Sequence, residues 1–236
     1  MRSRREKREN EQSLRVQIFV NLADLAREWQ FEHSKIVGKK LSAEQRARAY
    51  YDAKSIPWSK FPQAIIDQLD EMDYIGEFEK ELVSVEVYSA SENTNNNNRK
   101  EFETWLEEEL DPLPGFEVHP FTRKDEQAKK CQHCDEPLQG SELIKGLTTK
   151  VACDLLSHAV DDAYDIAVVV MDDPDVVPSV LSVQEIFDKH IVHVGSKGEG
   201  EALRSAAWGN FNLETIVAEL VPSSVFKERY WNKVKQ

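Results

Sequence analysis

Asp172-Asp173-Pro174-Asp175 places three carboxylates within four residues, directly after Ile166-Ala-Val-Val-Val-Met171, the most apolar strand-like run in the chain. Like charges packed this closely repel one another unless a cation neutralises them, and a set of oxygen donors suits Mg²⁺ or Mn²⁺. Aspartate and proline are also ordinary turn residues, and Asp175 could cap a helix beginning near Pro178. Composition alone leaves a metal site and a solvated turn equally open. Asn21 and Asp24 follow the first apolar strand, and Asp154 lies on the helix preceding the acidic turn. Lys150, Asp154, His158 and Asp161 recur at helical spacing, so Asp154 also fits a plain polar helix face.

A second constellation is Cys131-Gln132-His133-Cys134. Its spacing matches zinc ligation, but a tetrahedral site needs four ligands, and the chain has no second CxxC and no HxxxH. His119 and Cys153 are the remaining candidates, with Cys153 expected in the core because its helix is apolar. Structural Zn²⁺ at Cys131 and Cys134, a metal shared between subunits and a metal-free surface loop all remain open. A thioredoxin-like redox role is disfavoured, because the motif lies in a polar insert and not at a strand–helix junction.

The elements that must position these groups alternate. The pattern predicts strands over 16–20, 82–90, 116–121, 166–171 and 190–195, and helices over 22–29, 102–110, 149–162, 178–189 and 201–208. Residues 41–73 read as helical in two pieces, with Ser42 and Gln45 as a start and Ile65, Ile66 and Leu69 as an apolar face following breaks at Pro57 and Pro62. Strand–helix alternation predicts an α/β, three-layer Rossmann-like or PIN-like domain with a mostly parallel sheet and an added helical insert. The strand over 166–171 is apolar throughout and must be buried on both faces. Ligands of such sheets bind beyond the carboxyl ends of the strands, where the acidic turn falls. No glycine-rich phosphate loop is present, and nine glycines leave little room for one.

The bulk numbers bound the function. A chain of 236 residues can bury a substantial core, and 40% hydrophobic residues with five tryptophans indicate a folded protein. A net charge of −13 argues against a broad electrostatic grip on nucleic acid, so any such contact must be local or cation-mediated. Three cysteines without a secretory signal point to a reducing, cytoplasmic setting. No apolar run approaches the roughly 20 residues of a membrane helix. The reading is a soluble intracellular protein with no membrane partner.

The order of Lys145-Gly146-Leu147, Asp154-Leu155-Leu156, Tyr164-Asp165-Ile166-Ala167-Val168, Asp173-Pro174-Asp175 and Val177-Pro178 resembles that of NYN domains. These are PIN-like, metal-dependent ribonuclease folds, called LabA-like in bacteria. Residues 18–25, Ile-Phe-Val-Asn-Leu-Ala-Asp-Leu, resemble the family's opening motif, and Ile191 to Gly195 with Leu203-Arg204 and Ala206-Ala207 resemble a later segment. The implied organisation is a charged tail over 1–13, an NYN domain over 14–213 with inserts at about 30–80 and 125–140, and a polar helical extension over 214–236.

The resemblance implies an endoribonuclease that hydrolyses RNA with Mg²⁺ or Mn²⁺. Asp173, Asp175 and Asp154 would be ligands, Asn21 and Asp24 would orient the ion or the attacking water, and Lys145, Lys150 and Arg204 would contact phosphate. The chain departs from the family at Asn21, usually aspartate, at Asp24, usually asparagine, at Thr148, often an acid, and at Asp172, usually glycine. These exchanges carry the second expectation, a catalytically weakened NYN-fold module that binds RNA or protein. A homo-oligomer or a protein partner is compatible with either.

Overall fold

The structure, a computed structural model, describes residues 13–37, 53–91, 97–122, 146–196 and 198–220. Strand β1 (Ser13–Asn21) runs directly into helix α1 (Leu22–Val37). Asn21 makes this abrupt change possible, because its Oδ1 accepts the Ala23 N–H at 3.1 Å and satisfies an amide that the first helical turn leaves free. Helix α2 (Phe61–Asp70) follows. Pro62, expected to break the chain before this helix, lies in its first turn, where a missing N–H costs nothing. The other helical piece expected here lies largely outside the described residues.

Strand β2 (Glu79–Ser91) precedes α3 (Asn97–Trp105), which widens into a π-helical turn at Leu106–Leu110 before β3 (Phe116–Thr122). The second half comprises α4 (Leu147–Val160), β4 (Ile166–Val170), a 3₁₀ turn (Pro174–Val176), α5 (Val177–Phe187) and β5 (His190–Gly195). It ends with α6 (Glu201–Ala206), β6 (Gly209–Asn212) and α7 (Leu213–Leu220).

The six strands form one sheet in the order β3-β2-β1-β4-β5-β6, with every pairing parallel. Side chains alternate between two cores, as a pleated sheet requires. Val16, Ile18, Val20, Val85, Val168 and Val194 pack against α1, α2, α3 and α7. Phe19, Tyr88, Ala167, Val169 and Ile191 pack against α4, α5 and α6. This is a three-layer α/β fold. Strand β4 is buried along its whole length, as its composition requires. Strand β6 was not expected from the sequence, because Gly-Asn-Phe-Asn has no strand-like apolar pattern. Helix α7 opens the helical extension expected over 214–236, but its Leu213, Ile216, Val217 and Leu220 lie in the core instead of in a polar tail.

The order of the strands fixes where a ligand belongs. The chain winds outward from β1 to β3 and then returns to the middle to lay β4 beside β1, so the switch point lies between β1 and β4. Asn21, Asp24 and the acidic turn all stand at that point. At the opposite edge of the sheet, Arg15 pairs with Asp165 at 2.9 Å and with Asp162 at 3.3 Å, and the buried Lys189 ammonium pairs with Asp162 at 2.6 Å. This network ties the starts of β1, β4 and β5 together. No helix among the described residues is long and apolar enough to cross a membrane.

Candidate functional site

Asp24 lies in the first turn of α1, where a negative charge complements the helix dipole. Its Oδ2 accepts the Asn21 side-chain amide at 2.9 Å and the Asp172 backbone N–H at 3.2 Å. One turn of α1 is thereby fastened to the end of β4. Burial pushes the Asp24 carboxyl up from the usual range, with Asp172 and Asp173 adding repulsion, against the lowering effects of Arg27 and the Asp172 amide. Asp24 therefore feels the charges of Asp172 and Asp173 across the switch point.

Arg27 supplies the countercharge. Its Nη2 lies 3.3 Å from Asp24, 3.5 Å from Asp172 and 2.8 Å from Glu199. The guanidinium is half exposed, so it reaches the acids from the solvent side. Asp172 joins three segments: its Oδ1 also accepts the Ser196 backbone N–H at 3.3 Å and lies 3.8 Å from His193 Nε2. His193 is fully buried, and its Nε2 pairs with the Met171 carbonyl at 2.8 Å, while Nδ1 has no hydrogen-bond partner among the described residues. Burial holds this imidazole below its usual pKa, so it is neutral at pH 7.

Asp173 is held separately. Its Oδ1 accepts the Asp175 N–H at 3.0 Å, capping the 3₁₀ turn, and its Oδ2 accepts the Thr148 hydroxyl at 2.6 Å. Thr148, in the first turn of α4, thus donates a hydrogen bond where an acid would repel. Asp175 is exposed and contributes its backbone to this cap. Asp154 is buried two turns along α4, where one oxygen accepts the Tyr88 hydroxyl at 2.8 Å and the other pairs with Lys150.

The expected set is therefore divided. Asn21 and Asp24 meet, and Asp24 meets Asp172. Among the described residues, neither Asp154, Asp173 and Asp175 nor Asp24, Asp172 and Asp173 form a group of three with ligand atoms within 4.8 Å of one another. Lys150 is engaged by Asp154 rather than directed to a phosphate, and Arg204 lies 3.2 Å from Asn212 Oδ1 at the end of β6. Cys131, Cys134 and Lys145 lie outside the described residues. Cys153 is exposed on α4, which corrects the expectation of a core cysteine: it falls on the outer face of an amphipathic helix whose inner face is Leu147, Val151, Asp154 and Leu155.

Two groups of ligating side chains were not foreseen. Glu86, Glu117 and His119 share one sheet face, across adjacent positions of β2 and β3. Burial would raise the Glu86 pKa, but hydrogen bonds from His119, Ser84 and Gln17 outweigh it and lower the net value. Glu86 is thus already stabilised, and His119, 2.8 Å away and stacked on Tyr88, is part of the reason. Glu28, Glu32 and Glu214 form the other group. A cleft of about 530 Å³ lined by Pro62, Ile66, Leu82, Leu113 and Phe116, with Ser59, Gln63 and Lys80 among its polar residues, lies beside β2 and β3, away from the switch point.

No family model matches the chain, and no curated protein matches it. Among solved structures, the chain is similar to a protein of unknown function from Vibrio parahaemolyticus, with 15% identity and a TM-score of 0.48 over 86% of this chain and 94% of that one.

Proposed function

We propose that this chain is a metal-dependent endoribonuclease of the NYN type, with its site centred on Asp24, Asp172 and Asp173 at the β1–β4 switch point. The observation that carries this reading is the placing of these acids at the strand ends where an open parallel sheet binds its ligands, with Asp24 bonded to the Asp172 amide and its pKa raised by burial and by repulsion from Asp172 and Asp173. Repulsion of this kind is relieved by a divalent cation, and an all-oxygen set favours Mg²⁺ or Mn²⁺. A bound cation would supply an acidified water and neutralise charge developing on a phosphate. Asp172 and Asp173 would hold it. Asp24, with its raised affinity for a proton, would accept one from the attacking water. Arg27 is exposed enough to turn from the acids onto a phosphate oxygen. The composition supports a cytoplasmic protein.

One observation favours a second reading. Arg27 already stands between Asp24, Asp172 and Glu199 as a built-in cation, and Thr148 engages Asp173. If the guanidinium permanently replaces the metal, an acidic crevice on a chain of net charge −13 has little grip on RNA, and the partner is a protein.

The readings separate on labelled single-stranded and structured RNA incubated with Mn²⁺ or EDTA, beside Asp24→Asn and Asp173→Asn. The nuclease reading requires Mn²⁺-dependent cleavage, slowed by about 10²-fold or more in Asp24→Asn. Intact RNA with folded wild-type protein in Mn²⁺ overturns it and leaves the protein-binding reading.

A further inference from the structure

Glu28 and Glu32 stand one turn apart on the same face of α1, and Glu214 lies in the first turn of α7, which packs beside it. Their carboxylate oxygens all come within 4.8 Å of one another. Glu28 and Glu32 are 7% and 8% exposed, so two of the three carboxylates are almost wholly removed from water. Buried carboxylates ordinarily take partners that match their charge. Here Lys35, half exposed on the same helix, pairs with Glu32, so among the described residues one ammonium faces three carboxylates.

A second observation comes from another element. Ser196, immediately after β5, is 5% exposed, and its hydroxyl faces the Glu28 carboxylate. Its Oγ nevertheless makes no hydrogen bond of ordinary geometry among the described residues. A buried hydroxyl without a partner is uncommon and calls for a ligand or an ion. Ser196 and Glu214 follow the carboxyl ends of β5 and β6, so the group lies on the ligand-binding edge of the sheet, displaced from the β1–β4 switch point.

We infer that Glu28, Glu32, Glu214 and the Ser196 hydroxyl form a divalent-cation site separate from Asp24, Asp172 and Asp173. Oxygen donors around a hard cation lie about 2.0–2.6 Å from it, so opposite donors stand about 4–5 Å apart, the span of this group. A donor set with no nitrogen or sulfur selects Mg²⁺, Mn²⁺ or Ca²⁺ over Zn²⁺. The site spans α1, the end of β5 and the start of α7, so an ion there fastens the last helix to the first. The inference does not depend on the nuclease reading.

The test is Mn²⁺ binding to the full chain at low ionic strength, followed by the loss of the free-ion electron paramagnetic resonance signal. Glu32→Gln and Glu214→Gln should each weaken one binding event by about tenfold or more, and Ser196→Ala should weaken it less. Asp173→Asn should leave that event in place, which separates this site from the one under Proposed function. In EDTA, Glu28→Gln should raise the melting temperature, since it removes one of the three carboxylates that share the Lys35 ammonium. Mn²⁺ binding unaffected by Glu32→Gln and Glu214→Gln, or no binding by folded wild-type protein, overturns the inference.

Discussion

Asp24 accepts a hydrogen bond from the backbone N–H of Asp172 at 3.2 Å, so the first turn of α1 is fixed directly to the end of β4. The Asp172 carboxylate continues the chain of contacts to the Ser196 amide beyond β5. Three strand ends are joined by two neighbouring acids. Such an arrangement persists only if countercharge is supplied, and Arg27 supplies it.

Replacing Arg27 by Gln removes that charge and leaves the acids facing one another. The guanidinium is half exposed, so the direct loss of stability should stay within about 1 kcal/mol. Dependence on divalent ions should increase instead. Thermal melts with and without Mn²⁺ check this: the gain on adding Mn²⁺ should be larger in Arg27→Gln than in wild type.

Gly198 and Gly200 both adopt positive φ, +90° and +65°, but differ in their surroundings. A Cβ at Gly198 meets nothing within 4 Å among the described residues, whereas one at Gly200 falls 2.5 Å from Asp172 Oδ1 and 2.9 Å from His193 Cε1. Gly198→Ala should therefore cost backbone strain alone, about 1 kcal/mol. Gly200→Ala adds a collision with the crevice and should cost about 2–4 kcal/mol. Urea unfolding of the two variants measures the difference.

Asp154 is tied to Tyr88 and Lys150 on α4. Tyr88→Phe removes the hydroxyl donor from a buried carboxylate and should destabilise the fold by about 1–3 kcal/mol. Any RNA cleavage, normalised to folded protein, should survive Tyr88→Phe and Asp154→Asn while it is lost in Asp173→Asn. Cleavage abolished in a fully folded Asp154→Asn protein would return Asp154 to the reacting centre.

Burial favours the neutral form of Asp165, but the hydrogen bonds and charge of Arg15, with Lys189 beyond, outweigh it and hold the pKa at about 2, below the ordinary 3.8. The folded state thus binds this proton more weakly than the unfolded chain. The resulting stabilisation, about 2 kcal/mol, is present in full above pH 4 and disappears as the pH falls towards 2. Asp165→Asn should flatten that part of the stability–pH curve, as urea midpoints between pH 2 and pH 6 will record.

The sheet was legible where composition leaves few alternatives. Ile166 to Val170 is apolar on both faces, and only a central strand of a parallel sheet buries both. Strand β6 was not legible, because three partly buried residues and one exposed one at a sheet edge carry no apolar signature. The acidic turn was correctly placed beyond β4, but its internal roles were not: Asp173 spends its oxygens on a cap and on Thr148, and Asp172 makes the cross-strand links. Glu28, Glu32 and Glu214 could not have been grouped by spacing, since tertiary packing alone brings α7 against α1.

The order β3-β2-β1-β4-β5-β6 also divides the polypeptide into two consecutive halves that meet along a single ladder, β1 against β4. Helix α7 crosses that seam, because its Ile216 and Val217 share a core with Leu25 and Leu69 of the first half. Severed between β3 and α4, the halves should therefore reassemble from separate fragments only when the second retains α7. The final described helix would then serve as the clasp of a split protein.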